Sequence, residues 1–206
     1  VTKEWTPERL KVALAFPDIY DLGMLNLGLA ILYDLLNERD DMLAERVYLP
    51  WTDMESVMQR ERIPLFSLET RHPIAHFDML AVSLPYEQVY TNTIHLLHLA
   101  EIPVRSAERL DGNYPLVLAG GHATYNPEPM ADFIDAFLIG EGEEAIVEIG
   151  QTIQKWRQGG AYLSSSEPPC RQRRIDLLRQ LALLDGVYVP QFYEVEYHAD
   201  GTLAQV

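Results

Sequence analysis

Short apolar runs alternate along the chain with longer segments in helical spacing, and this alternation restricts the fold more than any other feature. Such a βα pattern is typical of a parallel sheet whose crossover helices cover its faces. The five runs predicted as strands are Lys11–Phe16, Arg46–Leu49, Asp78–Leu84, Leu116–Ala119 and Ala136–Ile139. We therefore predict an α/β domain of the flavodoxin-like, doubly wound class, with a five-stranded parallel sheet in the order 2-1-3-4-5.

The segments between these runs have the apolar spacing of amphipathic helices. In the first segment, leucines recur every three or four residues and would form one face of a helix over Met24–Glu38. These leucines are Leu25, Leu29, Leu32 and Leu36. Further helices are predicted at 53–60, 87–101 and 143–158, and Gly159-Gly160 would end the last of them.

The composition changes near residue 160. The segment Ser164–Pro169 is rich in serine and proline and is predicted to be a linker. After it we predict a short helix at 174–181, strands at 187–189 and 192–197, and a turn at Asp200-Gly201. The sequence thus predicts a domain over 1–160 and a linker with a hairpin tail over 161–206. We expect the chain to be part of a longer protein.

Charge and cysteine content disfavour several classes of function. The net charge of −15 disfavours a nucleic-acid surface, which needs lysine and arginine to contact phosphates. Cys170 is the single cysteine, so the chain holds no internal disulfide and no cluster built from its own cysteines. No apolar run approaches the roughly 18–20 residues of a membrane span. We expect a cytoplasmic protein without direct nucleic-acid or membrane contact.

Four loops would meet at one edge of the predicted sheet, because each follows the carboxyl end of a parallel strand. Ligands of doubly wound folds bind at this edge. The loops are Pro17–Gly23, Pro85–Tyr90, Gly120–Asn126 and Gly140–Glu144. Gly120 and Gly121 would let a flat ring or a phosphate approach the backbone, or would form a tight turn that needs a positive φ. The sequence therefore predicts a ligand site at this edge.

Individual loop residues allow a functional and a structural interpretation. His122 could exchange a proton with a ligand near neutral pH, or could make a simple polar contact. The acidic residues around Gly140, Glu141 and Gly142 suit the start of a helix and would repel an anion. That loop is predicted to contact hydroxyl, amide or ribose groups, to close against a neighbouring domain, or only to begin the helix.

Other candidate residues lie in the first loop and at the end of the third strand. Asp18, Tyr20 and Asp21 lack the spacing of a metal site, which favours a hydrogen-bonding role. Ser83 could contact a ligand or its own backbone. The sequence has no serine elbow, Walker loop or GxGxxG motif, so hydrolase and P-loop functions lack support.

Three of these segments together resemble the signature of cobalamin-binding domains, such as those of methionine synthase and the methylmalonyl mutases. They are Asp18–Gly23, Ser83-Leu84 and Gly120-Gly121. In that family the first motif is Asp-x-His-x-x-Gly, and its histidine coordinates cobalt from below. Tyr20 stands at the histidine position here. The resemblance therefore implies cobalamin bound without a nitrogen ligand from the protein.

The chain resembles more closely the N-terminal domain of cobalamin-binding-type radical SAM proteins. The resemblance rests on Gly120–Pro129 followed by Gly140–Glu143, and it extends from about Lys11 to Trp156, with 187–193 similar to the connector that follows. The cluster motif Cys-x-x-x-Cys-x-x-Cys of that family is absent from this chain. The resemblance implies that the 4Fe-4S cluster and S-adenosylmethionine bind in a downstream radical SAM domain.

The leading hypothesis is an accessory domain, not catalytic alone, that binds cobalamin or a related small molecule and contacts its own downstream radical SAM domain. The residues expected at the cofactor are Asp18, Tyr20, Asp21, Gly23, Ser83, Leu84, Gly120, Gly121, His122, Gly140, Glu141 and Gly142. A second hypothesis is a non-catalytic scaffold that has kept the fold and lost cobalamin. A third is flavin or nucleotide binding at the same edge.

Overall fold

The computed structural model describes residues 3–158, 170–194 and 196–205, and most of them surround a single six-stranded sheet. The strands are β1 (Leu10–Ile19), β2 (Met42–Leu49), β3 (Met79–Ser83), β4 (Leu116–Gly120), β5 (Ala136–Leu138) and β6 (Val187–Tyr188). Their order is β2-β1-β3-β4-β5-β6, and the first five run parallel. The predicted flavodoxin-like order is confirmed. The sequence analysis missed β6 as a sheet member, which pairs antiparallel with β5 at the edge.

Seven α-helices connect the strands within the described residues. They are α1 (Tyr20–Gly23), α2 (Leu27–Glu38), α3 (Thr52–Glu61), α4 (Tyr90–Leu99), α5 (Ser106–Arg109), α6 (Gly142–Trp156) and α7 (Cys170–Leu181). In this part of the chain, none of the helices has the length and apolar character that crossing a membrane requires. A separate antiparallel hairpin is formed by β7 (Glu196–Tyr197) and β8 (Leu203–Gln205).

The first long helix begins later than predicted. The side chain of Asn26 accepts a hydrogen bond from the N–H of Leu29 at 2.8 Å, which makes Asn26 the N-cap of α2. Met24 and Leu25 therefore belong to the loop between α1 and α2, and the predicted start at Met24 is wrong. The prediction started too early because the apolar spacing continues into this loop. The side chain of Asn26 sets the start of α2 instead.

The chain beyond α6 differs from the prediction in its details. The predicted strand over 192–197 is wrong in its first half, because Pro190–Phe192 forms a 3-10 turn with proline at a helix-compatible position. Among the described residues of that range, Glu196–Tyr197 forms a strand. The proposed helix end at Gly159-Gly160 and the linker Ser164–Pro169 lie outside the described residues, and the domain boundary near 160 stays a prediction.

Both faces of the sheet are covered, which explains why its strands read as nearly continuous apolar runs. Alternate residues such as Val12 and Leu14 pack with α2, α6 and α7, whereas Ala13 and Ala15 pack on the opposite face, towards α3 and α4. Leu14 is 1% exposed. Truncating such a leucine to alanine is expected to cost about 2–5 kcal/mol of stability.

A buried ionic network holds α7 against the sheet. Asp135 accepts hydrogen bonds from Arg109 at 3.0 Å, from Arg174 at 2.7 Å and from the N–H of Val117 at 2.7 Å. Arg174 also donates to the carbonyls of Tyr114 and Pro115. Burial lowers the pKa of Arg109, and the nearby carboxylate of Asp135 opposes that shift. The network joins β4, β5, α5 and α7 through one carboxylate.

Candidate functional site

A cleft of about 210 Å³ lies between the sheet and the two helices α2 and α6. It occupies the edge where the parallel strands end, because β3, β4 and β5 finish at Ser83, Gly120 and Leu138. Such an edge is where ligands bind in doubly wound folds. A cavity therefore lies at the edge where the strand ends were predicted to come together.

Small side chains form the floor of this cleft. Ala81 and Ser83 of β3 lie on the face that carries α2 and α6, and Gly120 of β4 pairs with Ser83 across the strands. Leu14 and Leu138 flank the floor on the neighbouring strands. These small residues leave an open slot on one face of the sheet, whose other positions carry mostly leucine, valine and methionine.

Gly120 has no structural requirement for glycine. Its φ lies outside the left-handed region, and a Cβ built on it would lie 4.0 Å from the nearest atoms, which belong to Leu138. A methyl group at this position would enter the cleft without a steric clash. The missing side chain at Gly120 thus keeps the cleft open and does not serve the local backbone.

Gly121, in contrast, is required by the backbone. Its φ is +112°, and a Cβ would lie 2.8 Å from the carbonyl oxygen of Leu84. Leu84 donates its N–H to the carbonyl of Gly120 at 2.7 Å and accepts from the N–H of Ala123 at 2.9 Å. The side chain of Leu84 is 1% exposed and belongs to the core on the opposite face of the sheet. Only its backbone belongs to this edge.

The start of α6 closes one side of the cleft. Gly140 adopts φ +126°, Glu141 is the N-cap and Gly142 is the first helical residue. The first N–H groups of a helix have no partner within the helix, so they are available to a polar ligand. Glu143 also lines the cleft, and its carboxylate stands in the first turn of α6. The helix start therefore offers donors in acidic surroundings, which disfavours a bare anion.

The residues predicted in the first loop lie at the same edge but do not line the cleft. Tyr20 packs edge-on against Tyr48 with ring centroids 5.3 Å apart, and burial raises the pKa of Tyr48. Gly23 is buried under the rings of Tyr48 and Phe16, where a Cβ would lie within 2.6 Å of Tyr48. The glycine is thus required for packing between α1 and β2.

Asp18, Asp21 and His122 also lie outside the cleft lining. The carboxylate of Asp18 accepts a hydrogen bond from the N–H of Ile19 at 2.8 Å, and Asp21 is exposed in α1. His122 is exposed, with its ring 5.7 Å from that of Tyr125. Among residues 3–158, 170–194 and 196–205, no three histidine, cysteine, aspartate or glutamate side chains are grouped to hold a metal ion.

The helical side of the cleft was missed in the sequence analysis. Leu29 and Leu32 were assigned to the core face of a helix, yet they also form a wall of the cleft, with Ile146 of α6. Asn26 and Gly28 line it at the start of α2. The sequence signal for this wall was Asn26, a helix-capping residue, followed two positions later by Gly28. This combination indicates a helix start whose backbone a ligand can approach closely.

Comparison with known proteins identifies a family for most of the chain. Residues 28–190 match the family described as the N-terminal region of radical SAM proteins. The matched range begins within α2 and includes β2 to β6 and the whole of α6, so it contains Ser83, Gly120 and Gly142. Comparison with curated proteins gave no match.

Proposed function

Because the chain belongs to the family of N-terminal regions of radical SAM proteins, we propose that it is an accessory domain that binds cobalamin for its parent protein. The family implies that the parent protein uses S-adenosylmethionine and a 4Fe-4S cluster. The chain has one cysteine, Cys170, and so cannot supply the three thiolates of the cluster. When bound, cobalamin would supply a cobalt centre able to carry a methyl group.

The observation that carries the proposal is the open floor at Gly120. Neither the φ of this residue nor its neighbours require glycine, so the empty space is explained best by an occupant. Ligand pockets for drug-sized molecules measure roughly 300–1,000 Å³. The cleft of about 210 Å³ is smaller, and so it suits one slender part of a ligand. We assign it to the nucleotide tail, with the corrin outside it.

The chemistry of the lining fits a flat, mostly apolar group with a few polar atoms. Leu29, Leu32 and Ile146 provide apolar walls. The hydroxyl of Ser83 can donate or accept one hydrogen bond at the floor. The N–H groups at Gly142 and Glu143 can donate to hydroxyl or amide groups. These residues would bind and orient the tail and exclude water from it.

Tyr20 would leave cobalt without a nitrogen ligand from this chain. It stands where the related cobalamin-binding domains have histidine, and its ring packs on Tyr48. A neutral phenol is a poor ligand for cobalt. The proposal is therefore a domain that holds cobalamin mainly through its tail and through the loops at the carboxyl edge of the sheet.

A titration with hydroxocobalamin, followed by its visible spectrum and by calorimetry, tests this function. We expect saturable binding that Gly120→Val weakens at least about tenfold, because the added side chain fills the floor of the cleft. Ala199→Val, in the hairpin turn between β7 and β8, is the matched control and should bind like the unmodified chain. Absence of binding at high micromolar cobalamin, with the chain folded by circular dichroism, would refute the proposal.

Two alternatives use the same edge of the sheet. A scaffold that has lost cobalamin would be favoured if Tyr20 and His122 filled the space that the corrin would occupy outside the cleft. Flavin or nucleotide binding would place a phosphate near Glu141 and Glu143, which line the cleft. The nucleotide tail of cobalamin also carries a phosphodiester, so these two residues do not discriminate between the ligands. Purification of a yellow protein would favour the flavin alternative.

A further inference from the structure

A second cavity, of about 670 Å³, lies at the amino edge of the sheet, opposite the cleft. It is bounded by Asp78 and Leu116, where β3 and β4 begin, and by the end of α6 and the start of α7. Its volume falls within the roughly 300–1,000 Å³ of small-molecule sites. The two cavities share none of their described lining residues. The amino edge therefore has room for a ligand of its own.

Arginine dominates the charge of this cavity. Its described lining contains the three arginines Arg157, Arg173 and Arg174 and one carboxylate, Asp78. Arg157 lies 3.0 Å from the carboxylate of Asp78, and Lys11 lies 3.8 Å from the same group. Burial lowers the pKa of Lys11, Asp78 opposes this shift, and Arg157 adds to it. In a chain of net charge −15, this local excess of positive charge attracts anions.

The third arginine is fixed from behind by the buried network. Arg174 is 8% exposed and shares the carboxylate of Asp135 with Arg109. Its two terminal nitrogens donate to Asp135 and to the carbonyls of Tyr114 and Pro115. Its Nε is buried and has no hydrogen-bond partner among the described residues. Two guanidinium groups thus share one carboxylate here, and one donor lacks an acceptor.

The start of α7 adds to this positive charge. Helices usually begin with acidic residues, because the partial charge of the helix dipole is positive at that end. The first turn of α7 has no acidic residue, and arginine occupies positions 171, 173 and 174. Arg171 pairs with Asp111 at 2.6 Å on the surface, and Arg173 and Arg174 line the cavity. A helix start with these side chains favours an anion in the cavity.

Aromatic side chains form another part of the lining. Trp156 at the end of α6 and Tyr114 before β4 are both half-buried there, and Phe77 lies below them in the core. The position of Tyr114 depends on Gly112, because a Cβ at Gly112 would collide with the tyrosine ring. Half-buried aromatic rings provide flat surfaces on which the ring of a ligand can stack.

We propose that the amino-edge cavity binds a phosphate monoester that carries a flat ring, a ligand of the mononucleotide class. The lining has an excess of two positive charges, and a phosphate monoester carries a charge of about −1.5 to −2 at pH 7. Arg157 and Arg173 would contact the phosphate through their guanidinium groups, and Trp156 and Tyr114 would contact the ring. The site is separate from the cleft, so it does not depend on cobalamin.

Calorimetric titration of the chain 1–206 with AMP, without cobalamin, tests the site. We expect saturable binding of one AMP per chain. Adenosine and inorganic phosphate should each bind at least about tenfold more weakly, because each lacks one of the two contacts. Equal affinity for AMP and either of these probes would overturn the assignment of the ligand class. Absence of saturable binding at low millimolar AMP, with the chain folded by circular dichroism, would overturn the site.

Two arginine variants on one helix identify the phosphate contact. Arg173→Gln should weaken AMP binding at least about tenfold, because a charged hydrogen-bond donor is lost. Arg179→Gln is the matched control: it removes the same charge at the other end of α7, where Arg179 pairs with Asp176 and does not line the cavity. Its affinity should stay within about twofold of the unmodified chain. Binding that survives Arg173→Gln would contradict the assignment.

Tryptophan fluorescence gives a readout that does not depend on Arg173. AMP should change the emission of the chain, and Trp156→Phe should remove that change while Trp5 and Trp51 remain. A change that persists in Trp156→Phe would place the ligand elsewhere. AMP binding weakened by Gly120→Val and untouched by Arg173→Gln would place the nucleotide in the cleft at the carboxyl edge and would also overturn the proposal.

The two proposals can fail separately. Hydroxocobalamin tests the cleft, and AMP tests the cavity at the other edge. AMP binding that depends on Arg173, without cobalamin binding, removes the cofactor and keeps the amino-edge site. Cobalamin binding without AMP binding removes the amino-edge site and keeps the cofactor.

Discussion

Replacing each of two adjacent glycines by alanine should change stability in opposite directions. Gly120 has an ordinary φ, and its added Cβ would meet Leu138 at 4.0 Å, which is van der Waals contact. Gly121 has φ +112°, and its added Cβ would lie 2.8 Å from the carbonyl oxygen of Leu84. One methyl group therefore makes an ordinary contact with Leu138, and the other meets fixed backbone.

The magnitudes follow from these two environments. Gly120→Ala reduces the freedom of the unfolded chain, which stabilises a compatible site by about 0.4–1 kcal/mol. Gly121→Ala forces alanine into a region that only glycine adopts readily, at a cost of about 1–3 kcal/mol. The clash with Leu84 adds to that cost, because the Leu84 carbonyl is fixed by its hydrogen bond from Ala123.

Urea unfolding monitored by circular dichroism measures both changes, with the slope of the transition as a check on its two-state character. Gly120→Ala should raise the free energy of unfolding while weakening hydroxocobalamin binding, and Gly121→Ala should lower the free energy of unfolding. A loss of stability in Gly120→Ala comparable to that in Gly121→Ala would refute the reasoning. It would mean that Gly120 is needed for the fold, and its open floor would no longer indicate a ligand.

Three other predictions concern the fold that supports the site. Asn26→Ala should cost about 0.5–2 kcal/mol in urea unfolding because α2 loses its cap, and Asn26→Ser should recover most of the loss. Asp135→Asn should cost about 3–5 kcal/mol because Arg109 and Arg174 lose a buried counter-charge, and a change below 1 kcal/mol would contradict this. Burial raises the pKa of Tyr48 in the folded chain, so its contribution to stability is complete below the unfolded pKa of about 10 and is lost as pH rises towards the folded pKa. Tyr48→Phe should therefore flatten the loss of stability above pH 10, measured by urea unfolding across that range; an unchanged slope would contradict the assignment.

Much of the fold could be predicted from sequence because the central strands are buried on both faces. The run Met79–Ser83 has no polar residue before Ser83 and reads plainly as a strand. The edge strand β6 has only Val187 and Tyr188 and carries no periodicity of its own. Its place is decided by pairing with β5, a tertiary contact that the local sequence does not show.

The candidate site could be predicted only in part. Ser83 and Gly120 line the cleft because both end parallel strands, and the topology brings such ends together. Tyr20 comes from the same edge, but its ring turns to Tyr48, and no spacing in the sequence specifies that contact. The ion pairs of Asp135 with Arg109 and Arg174 join residues far apart in sequence, so they escape any pattern of local periodicity.

The central claim is that the cleft at the carboxyl edge of the sheet receives the nucleotide tail of cobalamin. Heteronuclear NMR of the isotopically labelled chain, titrated with diamagnetic cob(III)alamin, tests it most directly. The account predicts saturable shifts of the Ser83, Gly120 and Gly142 amides, with little change at the hairpin of β7 and β8. Unchanged amides at these three residues, or shifts confined to surfaces away from the cleft, would contradict it.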